Sequence, residues 1–334
     1  MPAPEYSALK RQMVLDALAR ESLRELVLAD TIEIPPGTRR RATLKARREA
    51  EGVELGFHAK RSHTIIDMHE CRILTPALVR LLPGLRAMLA SRLKRGEKAD
   101  VYVVEADNGI DLALAGIGTD VATTAWAARW ADTLKLSRIT SGQETVVESA
   151  PPFVTFGRAT VPLPPVAFLQ PTREGERRLQ ELLADAAKGA RRIADLFCGL
   201  GTFALVLAES APVNASDLDV ASVAALQAAV RATPRLKPVS ATQRDLYRRP
   251  LTGPELAGFD LVVLDPPRAG AERQCRELTV SGVGRIIYVS CNPTSFARDA
   301  RLLVAGGYRP GTITPVDQFL WSSHSELVAS FSRA

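Results

Sequence analysis

The sequence predicts an α/β protein: a doubly wound, mostly parallel sheet with a terminal antiparallel strand, preceded by a smaller α+β domain with antiparallel hairpins. Three observations carry that expectation. From about residue 172 onward helical and strand patterns alternate, as in a parallel sheet covered on both faces. Between about 38 and 165 the texture is instead short strands joined by tight turns. A Pro-rich stretch, Pro151-Pro152 and Pro162-Leu-Pro-Pro165, separates the two textures. The expected domains are therefore 1–165 and 166–334.

Residues 5–29 read as one or two amphipathic helices, with Leu9, Met13, Leu15, Leu18, Leu23, Leu26 and Val27 at mixed three- and four-residue spacings. Pro35-Pro36-Gly37 closes that region. Thr38–Arg48 and Val53–Ala59, joined through Glu51-Gly52, predict a hairpin. Val101–Glu105 and Ile110–Ala115, joined by Asp107-Asn108-Gly109, predict another, and Pro76–Arg95 has helical periodicity. Glu174–Lys188 is a charged amphipathic helix leading into a buried strand, Arg192–Phe197. A Gly-rich turn, an apolar helix (Phe203–Ala208), a strand ending at Asp217 and a helix (Val220–Ala232) follow. Further strands are expected at Pro238–Ala241, Phe259–Leu264 and Arg285–Val289, and Gly311–Val316 with Glu326–Phe331 reads as a closing antiparallel pair.

Composition narrows the class. With 46% hydrophobic and 24% charged residues the chain is an ordinary globular one, not a disordered or disulfide-scaffold chain. No apolar run approaches the roughly 20 residues of a membrane-spanning helix, so no membrane partner is expected. The N-terminus reaches Lys10 and Arg11 without an apolar signal core, and four scattered cysteines suggest a reducing cytoplasm. The net charge is +6; residues 1–100 hold 19 basic and 13 acidic side chains, while the remainder holds 24 of each and cancels. The excess is densest at Arg39, Arg40, Arg41, Lys45, Arg47 and Arg48. Such a run is either a solvated strand face or a surface for a polyanion.

The chemistry-bearing residues fall at strand ends. Asp195-Leu-Phe-Cys-Gly199-Leu-Gly201-Thr-Phe-Ala204 places glycines at a strand-to-helix turn, where a ligand approaches the backbone closely. Asp217, ending the next strand, suits ribose hydroxyls. Gly199-x-Gly201-x-x-Ala204 alone also fits a dinucleotide fingerprint, which leaves an NAD-dependent oxidoreductase open. Asp265-Pro266-Pro267-Arg268 and Ser290-Cys291-Asn292-Pro293 end the fourth and fifth strands, so Asp195, Asp217, Asp265 and Cys291 should converge on one cleft. A thiol there, flanked by helix N-termini, is expected to have a lowered pKa and act as a nucleophile. Cys198 and Cys275 read as small buried hydrophobes.

These motifs, with Ser323-His324-Ser325-Glu326 near the end, resemble the S-adenosylmethionine-dependent RNA uracil-5-methyltransferases, closest to the 23S ribosomal RNA branch. The resemblance extends to Phe168-Leu-Gln170-Pro-Thr and to Arg39-Arg-Arg-Ala-Thr-Leu with Leu55-Gly56-Phe57. It implies a C-terminal class I methyltransferase domain and an RNA substrate. It implies that Gln170, Phe197, Gly199, Gly201, Thr202, Asp217, Asp245 and Asp265 surround S-adenosylmethionine. It implies that Cys291 is the nucleophile and Glu326 the general base. Thr202 stands where many members carry Asn.

Many relatives also carry an N-terminal RNA-binding barrel and a three-cysteine segment that joins a later cysteine around an iron–sulfur cluster. The sequence begins beyond both, and Cys71 stands at the fourth position without those partners, so no cluster and no metal are expected. Zinc on His58, His63, His69 and Cys71 would fit no usual spacing. Three other readings stay open: a tRNA uracil-5-methyltransferase, an RNA cytosine-5-methyltransferase and a catalytically silent RNA-binding relative. The cytosine enzymes carry a cysteine where this chain has Asp-Pro-Pro-Arg.

Overall fold

Helix α1 (Ala3–Arg20) buries Val14, Ala17 and Leu18, which recur at helical spacing along one face. The structure, a computed structural model, describes residues 3–333. A short strand, β1 (Ile32–Glu33), follows. The chain then enters one of two units into which it divides, Pro35–Thr155 with Thr160–Arg173.

That unit is built on β2 (Arg41–Arg48), β3 (Val53–His58), β4 (Ile65–Asp67), α2 (Pro76–Ala90), β5 (Lys98–Ala106), β6 (Gly109–Ala115), α3 (Val121–Leu134), β7 (Leu136–Ser141) and β8 (Glu144–Glu148). Its seven strands lie in the order β4-β3-β2-β5-β6-β7-β8, antiparallel except for β6 beside β7. Along β2 the inward residues Ala42, Leu44 and Ala46 alternate with exposed or half-buried ones, as a half-covered sheet requires. Helix α2 starts cleanly because Thr75 Oγ1 accepts from Leu78 N–H and Pro76 occupies the first turn. Leu78, Leu81, Leu82, Leu85, Met88 and Leu89 then form its buried stripe. Helix α3 and the β7–β8 pair lie outside the expected elements. The buried stripe of α3 is Thr123, Trp126, Ala127 and Ala131, mostly small or polar residues that leave little hydrophobic periodicity to read. The Pro-rich stretch forms a hairpin, β9 (Phe153–Phe156) and β10 (Ala159–Pro162), with Val154, Phe156, Ala159 and Val161 buried.

The other unit comprises the residues up to Ile34, Phe156–Ala159 and Glu174 onward. Its later elements are α4 (Arg173–Ala186), β11 (Ile193–Leu196), α5 (Ala204–Leu207), β12 (Val213–Asp217), α6 (Val220–Ala232), β13 (Val239–Gln243), α7 (Gly253–Leu256), β14 (Leu261–Leu264), α8 (Glu272–Val280), β15 (Arg285–Ser290), α9 (Pro293–Ala305), β16 (Arg309–Asp317) and β17 (Glu326–Ser332). The eight-stranded sheet runs β1-β16-β17-β15-β14-β11-β12-β13. Neighbouring strands from β13 to β15 are parallel, and β17 is antiparallel to both β15 and β16. Strands β11 and β14 are buried throughout, as expected under helices on both faces.

Two expectations are corrected. Residues 21–29 are not helical beyond α1; Leu23 and Leu28 are buried from irregular chain, and Ala29 N–H bonds to Ile313. Residues 3–34 also do not belong with the antiparallel sheet. Val14, Ala17, Leu18, Leu23 and Leu28 share one core with β14, β15, α8 and α9, and β1 pairs with β16.

Candidate active site

Four parallel strands end together. Leu196 pairs with Ser216 of β12 and Leu264 of β14, and Leu264 pairs with Tyr288 of β15. The residues that follow, Phe197, Asp217, Asp265 and Cys291, therefore share the carboxyl edge of the sheet, where open α/β sheets bind ligands. Asp245 lies two residues past the end of β13 at the same edge.

The turn after β11 is held by the next strand. Phe197 and Cys198 donate their N–H groups to the Ser216 carbonyl, and Gly199 N–H donates to Asp217 Oδ2 at 2.8 Å. Asp217 Oδ1 accepts from Asp219 N–H, also at 2.8 Å. Phe197 is held at φ 65°, a left-handed conformation that costs a non-glycine residue about 1–3 kcal/mol. Gly199, at φ 52°, faces open space where a side chain would stand, whereas a Cβ on Gly201 would sit 2.5 Å from Leu226 of α6. One glycine leaves room above the turn; the other lets the helix pack behind it. Thr202, half-buried, accepts from Gln180 Nε2 through its carbonyl.

Three carboxylates crowd this edge. Asp195 is fully buried, and neither of its oxygens has a hydrogen-bond partner. Burial, then Asp265 and Asp217, drive its acidity well above the carboxylate range; Ala204 N–H opposes this without reaching bonding geometry. Burial and the nearby Asp217 raise Asp265 to about 7.

Cys291 and Glu326 meet through strand register. Asn292 caps α9 by accepting from Thr294 N–H and Pro293 starts the helix, so Cys291 sits between strand and cap. Ser290 of β15 pairs with Leu327 of β17, the last pair of this register; Cys291 follows the one and Glu326 precedes the other, and the Glu326 charge acts on the thiol. Glu326 is buried at 2% exposure, and Gln318 Nε2 donates to its Oε2 at 2.9 Å. The expectation of an acidified thiol is overturned. Burial pushes Cys291 up to about 11, Glu326 and Asp265 add to the rise, and Arg268 opposes it. Asn292 Nδ2 donates to the Arg268 carbonyl at 2.9 Å, tying the Asp-Pro-Pro-Arg loop to the cysteine loop.

Gln170 belongs to the antiparallel unit, where it is buried and its carbonyl accepts from Arg40 Nε. The Asp245 carboxylate is engaged by its own loop, accepting from Tyr247 and Arg248 N–H groups at 3.0 Å each. That turn presents a residue the sequence reading passed over: Tyr247, whose ring centroid lies 5.5 Å from that of Phe197. An aromatic two places after a strand-end aspartate was the available signal. Cys198 and Cys275 are buried. Cys71 is half-buried beside the antiparallel unit's core, and among the described residues no three His, Cys, Asp or Glu side chains gather to hold a metal.

The basic run is largely engaged in folding its own unit. Arg40 is 1% exposed. Arg41 lies over the Phe168 ring at 4.7 Å and donates to the Leu169 carbonyl. Lys45 pairs with Asp100, Arg47 with Glu49 and Glu54, and Arg48 donates to the Glu49 and Gly52 carbonyls.

The strand order, the glycine turn after β11 and the acidic end of β12 together define a class I methyltransferase. A family model described as tRNA (Uracil-5-)-methyltransferase matches residues 160–333. The chain is 44% identical to an uncharacterised RNA methyltransferase of Rhizobium meliloti (strain 1021), over 98% of this chain and 79% of that one. It is 34% identical to the 23S rRNA (uracil(1939)-C(5))-methyltransferase RlmD of Halomonas elongata, over 92% of this chain and 70% of that one. Among solved structures, the tRNA (uracil-54, C5)-methyltransferase of Pyrococcus abyssi in complex with S-adenosyl-L-homocysteine matches with a TM-score of 0.75. It is 20% identical, over 99% of this chain and 84% of that one. The chain belongs to the family of S-adenosylmethionine-dependent RNA uracil-5-methyltransferases. The oxidoreductase reading of the glycine turn falls away.

The acidic edge suits that cofactor. A sulfonium is a cation, and after burial the charges of neighbouring carboxylates raise the proton affinity of Asp195 and Asp265, so the edge is electronegative. The open space above Gly199 admits a ligand against the backbone. When bound, S-adenosylmethionine supplies an electrophilic methyl group.

Proposed function

We propose that this chain methylates carbon 5 of a uridine in ribosomal RNA, with Cys291 as nucleophile and Glu326 as general base. The observation that supports the reading is the β15–β17 register, whose last pair, Ser290 with Leu327, is adjoined by Cys291 on one strand and by the buried, hydrogen-bonded Glu326 on the other, at the carboxyl edge of the sheet. Carbon 5 of uracil is a weak nucleophile. Addition of the Cys291 sulfur to carbon 6 turns the ring into an enolate whose carbon 5 attacks a methyl donor. Glu326 then takes the carbon 5 proton, and the ring re-forms as the carbon–sulfur bond breaks. The target base must leave its stack to enter such a site. Phe197, Gly199, Gly201, Thr202, Asp217 and Asp265 are proposed to hold the cofactor, with Asp245 shaping the loop that brings Tyr247 to Phe197. The ribosomal target is supported by the Halomonas elongata relative, whose name specifies 23S rRNA.

Incubation with 5-fluorouridine-substituted ribosomal RNA and S-adenosylmethionine tests the chemistry, because fluorine at carbon 5 cannot leave as a proton. A covalent protein–RNA adduct is expected with the wild type and with Glu326→Gln, and none with Cys291→Ala. An adduct that survives Cys291→Ala would exclude Cys291. Mass-spectrometric mapping of 5-methyluridine in ribosomal and transfer RNA, with and without the protein, separates the two RNA targets.

A further inference from the structure

We propose that Trp321 is a stacking platform for a nucleobase of the RNA substrate, displayed on a loop that α1 holds rigid. The loop joins β16 to β17 and runs directly into Glu326, so the inference rests on the reading of that residue as the base. Its anchoring is unusual. Lys10 of α1 is 3% exposed and spends its ammonium on this loop: an ion pair to Asp317 at 2.9 Å, a hydrogen bond to the Phe319 carbonyl at 3.1 Å and another to the His324 carbonyl. Tyr6, one helical turn earlier, donates its hydroxyl to Asp317 Oδ2 at 2.7 Å and accepts from Trp321 N–H at 3.0 Å. A buried cation and a tyrosine are thus both committed to fixing one eight-residue connection.

The side chain so displayed is not one that solvent favours. Trp321 is 58% exposed, although the segment offers buried neighbours in Gln318 and Ser325. Its backbone is at φ 55°, a region bulky L-residues rarely adopt, and a folding argument alone would place glycine or asparagine there. A strained, rigidly held, outward-facing indole beside a catalytic edge serves a ligand with a flat π-face. Proteins that read splayed-out RNA bases use aromatic side chains in this way. Phe319 and His324, edge to face at 6.0 Å, flank the same loop, and Arg268 lies close enough to help depress the protonation of His324, after burial. The surroundings therefore pair an aromatic surface with a cation for the phosphates.

The test uses the full chain, S-adenosyl-L-homocysteine and a short oligouridine RNA. Of the three tryptophans, Trp126 is buried and Trp130 packs against the core of the antiparallel unit, so a base stacked on Trp321 should quench a separable part of the emission. Titration should quench the wild type. Trp321→Ala should raise Kd roughly ten- to a hundredfold. Trp321→Phe should keep most of the affinity but lose the quenching. S-adenosyl-L-homocysteine affinity should be the same in all three. Absence of quenching in the wild type, or equal RNA affinity in wild type and Trp321→Ala, overturns the proposal. Adduct formation by the wild type with 5-fluorouridine RNA is read separately, so failure of the platform and failure of the catalytic assignment remain distinguishable.

Discussion

At the scale of single residues, burial keeps the proposed nucleophile protonated. Cys291 is raised to about 11 by burial first and then by Glu326 and Asp265, so its thiolate is scarce near neutral pH. The sign follows directly: reactivity of the free enzyme's thiol should climb about tenfold per pH unit below that value. Iodoacetamide alkylation of the Cys291 peptide, followed by mass spectrometry from pH 7 to 11, measures it. Glu326→Gln should move the midpoint down and Arg268→Ala should move it up. A wild-type midpoint near the ordinary 8.5 would contradict this account. None of this could be read from the sequence, where Cys291 and Glu326 stand far apart and nothing marks the burial between them. The positions of the strand-end residues were legible, because a short apolar run followed by Asp, Gly or Asn-Pro announces where a strand stops and a helix begins.

At the scale of elements, α1 is part of the catalytic unit. Leu18, 1% exposed, packs in the core shared with Phe296, Ala300 and Leu303 of α9. Leu18→Ala should lower stability by about 2–5 kcal/mol, the usual cost of emptying a buried leucine site. Denaturant unfolding followed by S-adenosyl-L-homocysteine-dependent protection measures this; a change within error would mean that α1 rests loosely on the sheet. Hydrophobic spacing identified α1 as a helix, but spacing cannot say which of two sheets a helix covers. Contiguity in the sequence favoured the wrong one. The Pro-rich stretch, which marks the change of texture in the sequence, is itself a hairpin whose residues Val154, Phe156, Ala159 and Val161 are buried.

At the scale of the whole molecule, two cations of β2, one lysine and one arginine, are met by carboxylates on neighbouring strands. Lys45 and Arg47 have carboxylate partners at 2.7 and 2.9 Å. Their pairs are partly exposed and contribute little stability, but they reduce what each cation gains from a phosphate. Replacing both by Ala should therefore change the slope of log Kd against log salt for oligouridine RNA by less than about 0.7, where two full phosphate contacts on a single strand would remove about 1.4. Filter binding across a salt series decides between them. The sequence disclosed the cations; their partners across neighbouring strands became visible only with the register of β2 against β3 and β5.

The parallel pairing of Ile32 and Glu33 with Val316 and Asp317 makes a two-residue strand the outermost member of the eight-stranded sheet. Outermost strands invite foreign chains to add on, and brevity is a common defence against that. Trimming the polypeptide ahead of Pro35 would bare the longer flank of β16 together with the apolar pocket that Leu18, Leu23 and Leu28 fill. The shortened protein should then self-associate into strand-added aggregates before it loses its capacity to fold.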